Sequence, residues 1–166
     1  MNHRAAWALV PGVNHPRPAP LDLLRLTPSW GLAAIAPLWL CAGLALAAPM
    51  PALREGAGRA GLIFGAMLIV LLAGERWGVM RAEALKTLGQ LEGALALAFA
   101  TAAAAAVLLP PIAGLCIIIM VMMMQGLRDV IAVEDGRLPP SYGSGRLALL
   151  AGSTAPLLVF LAVALI

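Results

Sequence analysis

Between Trp30 and Ile166 the chain reads as five apolar runs, each stopped by prolines or a few charges. They cover about residues 30–48, 60–80, 88–109, 112–127 and 147–166. A helix that crosses the hydrocarbon core of a bilayer needs about 20 mostly apolar residues. Backbone in hydrocarbon must satisfy its hydrogen bonds within its own segment, so such runs are expected to be helices. The expected fold class is all-α: a polytopic membrane protein, a bundle of five transmembrane helices over residues 29–166. Residues 1–28 form a separate proline-rich segment.

Only 11% of the residues are charged and 62% are hydrophobic. A soluble domain carries about a quarter charged residues. So few charges could not cover a water-exposed surface, and the apolar runs leave no length for a separate soluble domain. In the N-terminal segment, Pro11, Pro16, Pro18, Pro20 and Pro28 prevent one continuous helix. The apolar piece "AAWALV" is too short for a signal-peptide core. "PLDLLRL" fits a short helix on the membrane surface or an extended cytoplasmic tail equally well. Pro37 and Pro156 fall inside the first and fifth runs and are expected to kink them.

With five spans the termini lie on opposite sides. Arg4, Arg17, Arg25, Arg76, Arg81, Lys86, Arg128, Arg137 and Arg146 collect on one side, and only Arg54 and Arg59 on the other. Basic residues concentrate on the cytoplasmic side. The expected location is the bacterial inner membrane, N-terminus cytoplasmic and C-terminus periplasmic. This asymmetry also accounts for the net charge of +3. No long basic run with interleaved aromatics points to nucleic acid.

Cys41 and Cys116 each sit inside an apolar run, where cysteine acts as a small hydrophobe. His3 and His15 are both N-terminal, so the apolar runs offer no histidines to a haem or a zinc ion. No metal and no cofactor is expected. There is no serine nucleophile motif, phosphate-binding loop or histidine pair, and no enzyme is expected.

Lipid supplies no hydrophobic force between helices, so small residues at spacing four mark close packing. Gly61 and Gly65 open the second run, Gly74 and Gly78 close it, and Gly89 and Gly93 open the third. Ala94, Ala98, Ala102 and Ala106 continue a stripe along the third. The second and third helices are therefore expected to pack tightly. Met120, Met122, Met123 and Met124 surround the fourth helix and suit lipid contact or adaptable packing on another subunit.

"GLIFGAMLIVLLAGERWG" ends an apolar run with Glu75 and Arg76 side by side. Neighbours on a helix point about 100° apart, so the two need not pair with each other. Trp77 fits an interfacial anchor. The up-down order brings Glu92 at the start of the third helix, and Gln125, Arg128 and Asp129 at the end of the fourth, to the same face. Glu75, Arg76, Glu92, Gln125, Arg128 and Asp129 form the candidate polar cluster. Two roles are open to it: a proton- or ligand-handling pocket, since ionisable groups in a membrane mark sites, or a structural clasp of arginine–carboxylate pairs.

The blocks "PSWGLAAIAPLWLCAGLAL", "FGAMLIVLLAGERWG", "MQGLRD" and "GRLPPSYGSGRLALLAGSTAPLLVFLA" together resemble an uncharacterised bacterial membrane protein family that includes mitochondrial transmembrane protein 69. The resemblance spans about residues 28–163 and implies five helices in a membrane, with no activity attached. Arg76 stands where that family often has His, and Ser141–Tyr142 where it has Trp-Tyr. A ligand-binding role resting on that His would not carry over. Translocator-protein-like sterol and porphyrin binders are of similar size but rich in Trp and aromatic-proline motifs, unlike this chain with four Trp and one Tyr.

The leading expectation is a non-catalytic accessory subunit or assembly partner of a larger inner-membrane complex, respiratory or photosynthetic. Its partners would be membrane lipids and other membrane subunits. The alternatives are a small transporter or ligand-binding membrane protein using the polar cluster, and a membrane enzyme with Glu75 as acid or base.

Overall fold

The computed structural model describes residues 23–82, 86–135 and 140–165. They form five α-helices: α1 (Leu23–Ala47), α2 (Pro51–Ala82), α3 (Lys86–Leu108), α4 (Pro111–Glu134) and α5 (Pro140–Leu165). The described residues contain no strand. Proline opens α2, α4 and α5. At the first helical position it has no N–H to leave unsatisfied, and its fixed φ already suits a helix. The Pro110–Pro111 turn is the tightest connection, with Pro110 extended at φ −53°, ψ 142° before α4 starts.

α2 is the hub: it packs against each of the other four helices. Around it α1 touches α5, α5 touches α4 and α4 touches α3, while α1 and α3 do not meet among the described residues. The core runs down the middle of this arrangement. Leu38, Ile69, Leu72, Leu115, Ile118, Met122, Leu157 and Phe160 are all fully buried there. On α3 the buried line is Glu92, Phe99, Ala103 and Ala106, a spacing of seven, four and three that keeps one helix face inward. The outside is apolar as well: Leu40, Met67, Leu71, Leu97, Met123 and Leu127 are all exposed. Four helices are long and apolar enough to cross a membrane; the described apolar stretch of α1, Ala33–Ala47, is shorter. The fold is thus all-helical, with four to five apolar helices that could span a membrane.

The helices run longer than hydropathy indicates. The segment "PMPALREGAGR", which the apolar runs leave between the first and second spans, is mostly the start of α2, whose exposed first turns hold an Arg59–Glu55 pair at 3.1 Å. α4 continues past Leu127 to Glu134, because Ala132 and Val133 pack with Tyr142 in a second small core. α5 begins at Pro140 rather than near residue 147. Of residues 128–146, which the apolar runs leave between the fourth and fifth spans, 128–134 therefore belong to α4 and 140–146 to α5. α1 begins at Leu23, so Pro28 lies within the helix rather than before it. The expected N-terminal segment lies outside the described residues up to residue 22.

The glycine pairs do not do what their spacing promised. α2 and α3 do pack together. Yet Gly61 faces the Phe160 ring of α5, and Gly65 faces Ile118 of α4 and Leu157 of α5. Gly74 and Gly78 face nothing within 4 Å. Gly93 does serve the α2–α3 seam, seating the Trp77 indole 3.0 Å from where a Cβ would stand. The surroundings of Gly89 lie outside the described residues. The expected alanine stripe is displaced too: Ala94 and Ala98 are exposed, and Ala106 alone of the four is fully buried. Of the methionines, Met120, Met123 and Met124 face outward while Met122 is in the core, accepting a contact from Ser153 Oγ at 3.2 Å.

Candidate functional site

The end of the bundle where α2 and α4 finish and α3 and α5 begin carries all the buried charge of the described residues. Arg76 stands on the inward face of α2, below Ile69 and Leu72 at spacings of seven and four. Glu92 lies nearly two turns into α3, Asp129 near the end of α4, and Arg146 nearly two turns into α5. Each of these four side chains is 7% exposed or less.

The pairs form a line of alternating sign. Arg128 Nη2 donates to Glu92 Oε2 at 2.5 Å. Glu92 receives a fork from Arg76, Nε to Oε2 at 2.8 Å and Nη2 to Oε1 at 3.1 Å. Arg76 Nη1 donates to Asp129 Oδ1. Arg146 Nε donates to Asp129 Oδ2 at 2.9 Å, and its Nη1 to Glu75 Oε2 at 2.6 Å. The order is Arg128–Glu92–Arg76–Asp129–Arg146–Glu75, three guanidiniums and three carboxylates, net charge zero. The two ends are the most exposed members, Arg128 at 22% and Glu75 at 41% of the side chain. Charge too costly to bury alone is thus buried only where it has a partner on each side.

Glu75 and Arg76 do point apart: one pairs with α5, the other with α3 and α4. All six candidate residues meet at this end of the bundle. Gln125 joins through α2 rather than through a charge, donating Nε2 to the Ile69 carbonyl at 3.3 Å. Arg146 also donates Nη2 to the Leu72 carbonyl at 2.5 Å. Two aromatic rings flank the line: Phe99 lies 5.4 Å from the Arg128 guanidinium and Tyr142 5.5 Å from that of Arg146. Tyr142 precedes the apolar span of α5, and burial pushes its phenol up to about 12.

Arg146 is the member that sequence reasoning missed. It falls between the fourth and fifth apolar runs, and counts only as a basic flanking residue, when α5 is taken to begin at residue 147. The available signal was its spacing: Arg146, Leu150, Ser153 and Leu157 repeat at four, three and four, continuing the buried face of α5 upward to the charge.

A cavity of about 10 Å³ lies inside the cluster, lined by Leu72, Ala73, Arg76, Glu92, Ala96, Phe99, Gln125, Arg128, Asp129 and Arg146. That is room for one water molecule. Among the described residues no three His, Cys, Asp or Glu side chains converge as the ligands of a metal ion would.

Fold and cluster define a class: an all-helical protein with the apolar helices of a multi-pass membrane protein, pinned at one end by a charge-balanced line of ion pairs. Compared with family models, with curated proteins and with solved structures, the chain matches none.

Proposed function

We propose that the protein is a non-catalytic integral membrane subunit, an accessory or assembly partner of a larger bacterial inner-membrane complex of respiratory or photosynthetic type. The ion-pair line carries this reading. Every carboxylate in it already accepts from a guanidinium. Successive carboxylates are separated by arginines, which do not release their protons. A relay that handed protons along such a line would stop at each guanidinium. The cavity of about 10 Å³ takes no metabolite, and Glu75 does not line it. The cluster therefore reads as a clasp.

The surface supports a partner. On the flank of α2 and α3 an apolar groove of about 510 Å³ is lined by Ile63, Met67, Val70, Leu71, Ala100 and Ala104. Ala100 and Ala104 stand at spacing four, the pattern that lets a second backbone come close in lipid. The basic-residue asymmetry supports a cytoplasmic N-terminus for such a subunit.

The test is purification of the tagged protein from its native membrane in mild detergent. Co-purifying membrane subunits, lost when Ala100→Leu and Ala104→Leu together fill the groove, are expected. A lone monomer with no associated subunit refutes the proposal. The competing reading, a transporter or ligand-binding protein, requires Glu75→Ala and Asp129→Ala variants that still fold to lose transport or binding.

A further inference from the structure

The clasp is one acceptor short of complete. Gln125 is 5% exposed, and its Oε1 is fully buried with no protein partner. The amide cannot be turned to remove the problem. Nε2 donates to the Ile69 carbonyl, so a flipped amide would set oxygen against oxygen and strand the same acceptor there. A buried carbonyl without a donor is costly, and native structures supply one.

Gln125 lines the cavity of about 10 Å³. A site that holds a buried water needs about this much space and two to four polar partners. The partners are present. Three of the five N–H groups of Arg76 go to Glu92 and Asp129, and three of those of Arg146 go to Asp129, Glu75 and the Leu72 carbonyl. Each guanidinium has N–H groups to spare, and each carboxylate has further lone pairs.

We infer that the cavity is a built site for one ordered water molecule, which donates a hydrogen bond to Gln125 Oε1 and bridges it to the ion-pair line. The water accepts from a guanidinium N–H and gives its second proton to a carboxylate oxygen. Gln125 thereby becomes a positioning residue of the clasp, coupling the α2 backbone at Ile69 to the charges on α3, α4 and α5. The inference stands on the cavity and the stranded acceptor, and would hold whether or not the protein has partner subunits.

A double-mutant cycle tests it. Ala96 also lines the cavity, so Ala96→Val displaces the water and leaves Oε1 without a donor. Its melting temperature in detergent is expected to fall by roughly 3–10 °C, the range for one unsatisfied buried group in a chain of this size. Gln125→Met removes the amide at nearly constant volume. In that background the same Ala96→Val change should cost far less. An equal loss in both backgrounds overturns the inference. Should the Ala96→Val variant fail to fold, the wild-type protein in a lipid nanodisc decides at a resolution that shows ordered solvent. Density within hydrogen-bond distance of Gln125 Oε1 supports the site, and a side chain filling the cavity or no density there refutes it.

Discussion

Asp129→Asn removes one charge from the middle of the line while keeping the side chain's shape. Asp129 is 2% exposed and accepts on both oxygens, from Arg76 on α2 and from Arg146 on α5. An asparagine can accept from one of them; its NH2 then opposes the other guanidinium, donor against donor. The buried line is left with one positive charge in excess, Arg76 keeping only Glu92 and Arg146 only Glu75, and breaking buried pairs in this way costs about 3–5 kcal/mol. Against a fold stability on the order of 5–15 kcal/mol that is a large fraction. For a chain of this size each kcal/mol moves the melting temperature by about 2–4 °C, so the expected drop is roughly 6–20 °C. The assay is a thermal ramp in mild detergent read by fluorescence-detected size exclusion. Arg128→Gln is the control: its guanidinium lies at the rim, and Glu92 keeps the fork from Arg76. That variant should lose only about 1 kcal/mol. Pairing Asp129→Asn with Arg146→Gln restores the charge balance and should recover much of the loss, because the Glu75 it frees is already the most exposed member. The line does not act as a clasp if Asp129→Asn melts with the wild type, or if the double variant falls by the sum of the two single losses.

Gly61→Ala drives a methyl into the Phe160 ring, which is 2% exposed and has nowhere to go; a loss of about 1–3 kcal/mol is expected, relieved by Phe160→Leu. Gly74→Ala meets nothing within 4 Å and should stabilise α2 by up to about 1 kcal/mol, the opposite sign in the same thermal assay. Arg76→Lys keeps the charge but loses the fork on Glu92, and should cost roughly 2–3 kcal/mol in that ramp. Reporter fusions to the two ends should give a cytoplasmic signal at Met1 and an external one at Ile166.

What the sequence discloses here follows from which forces are local. The apolar runs show the helices because a helix in hydrocarbon needs only its own residues to satisfy its backbone. The up-down order then puts Glu75, Arg76, Glu92, Gln125, Arg128 and Asp129 at one end of the bundle, which needs only the helix count. Helix ends were misplaced where a charge looked like water. Arg128 and Asp129 read as the finish of α4, yet both are inside the helix because α2, α3 and α5 supply their counter-charges. Arg146 was lost by the same error on α5. Partner choice was hidden for a different reason. Spacing four shows that Gly61 and Gly65 allow close approach, but which helix approaches depends on the azimuth of α2. Here α4 and α5 take those positions.

That azimuth is where the ion pairs matter most. Alanine- and leucine-rich faces such as those of α3 pack nearly as well after a turn of slippage or rotation, since one apolar contact resembles another. Alternating charges do not permit it. Rotating α4 away from its observed face would take Asp129 from Arg76 and Arg146 at once, leaving each buried guanidinium with one carboxylate in place of two. Four helices are fixed against one another by this line, to which no described side chain of α1 contributes. α1 is held instead by Leu38, Ala42 and Ala45 in the core and by Trp39 Nε1 donating to the Gly152 carbonyl of α5 at 2.9 Å. Removing the charges in balanced pairs should therefore leave a helical, membrane-inserted protein whose α3, α4 and α5 no longer hold one register about α2, with α1 still docked on α5. Cysteine cross-linking between α2 and α4 would report that as several competing pairs in place of one; a single unchanged pair would show that apolar packing alone sets the register.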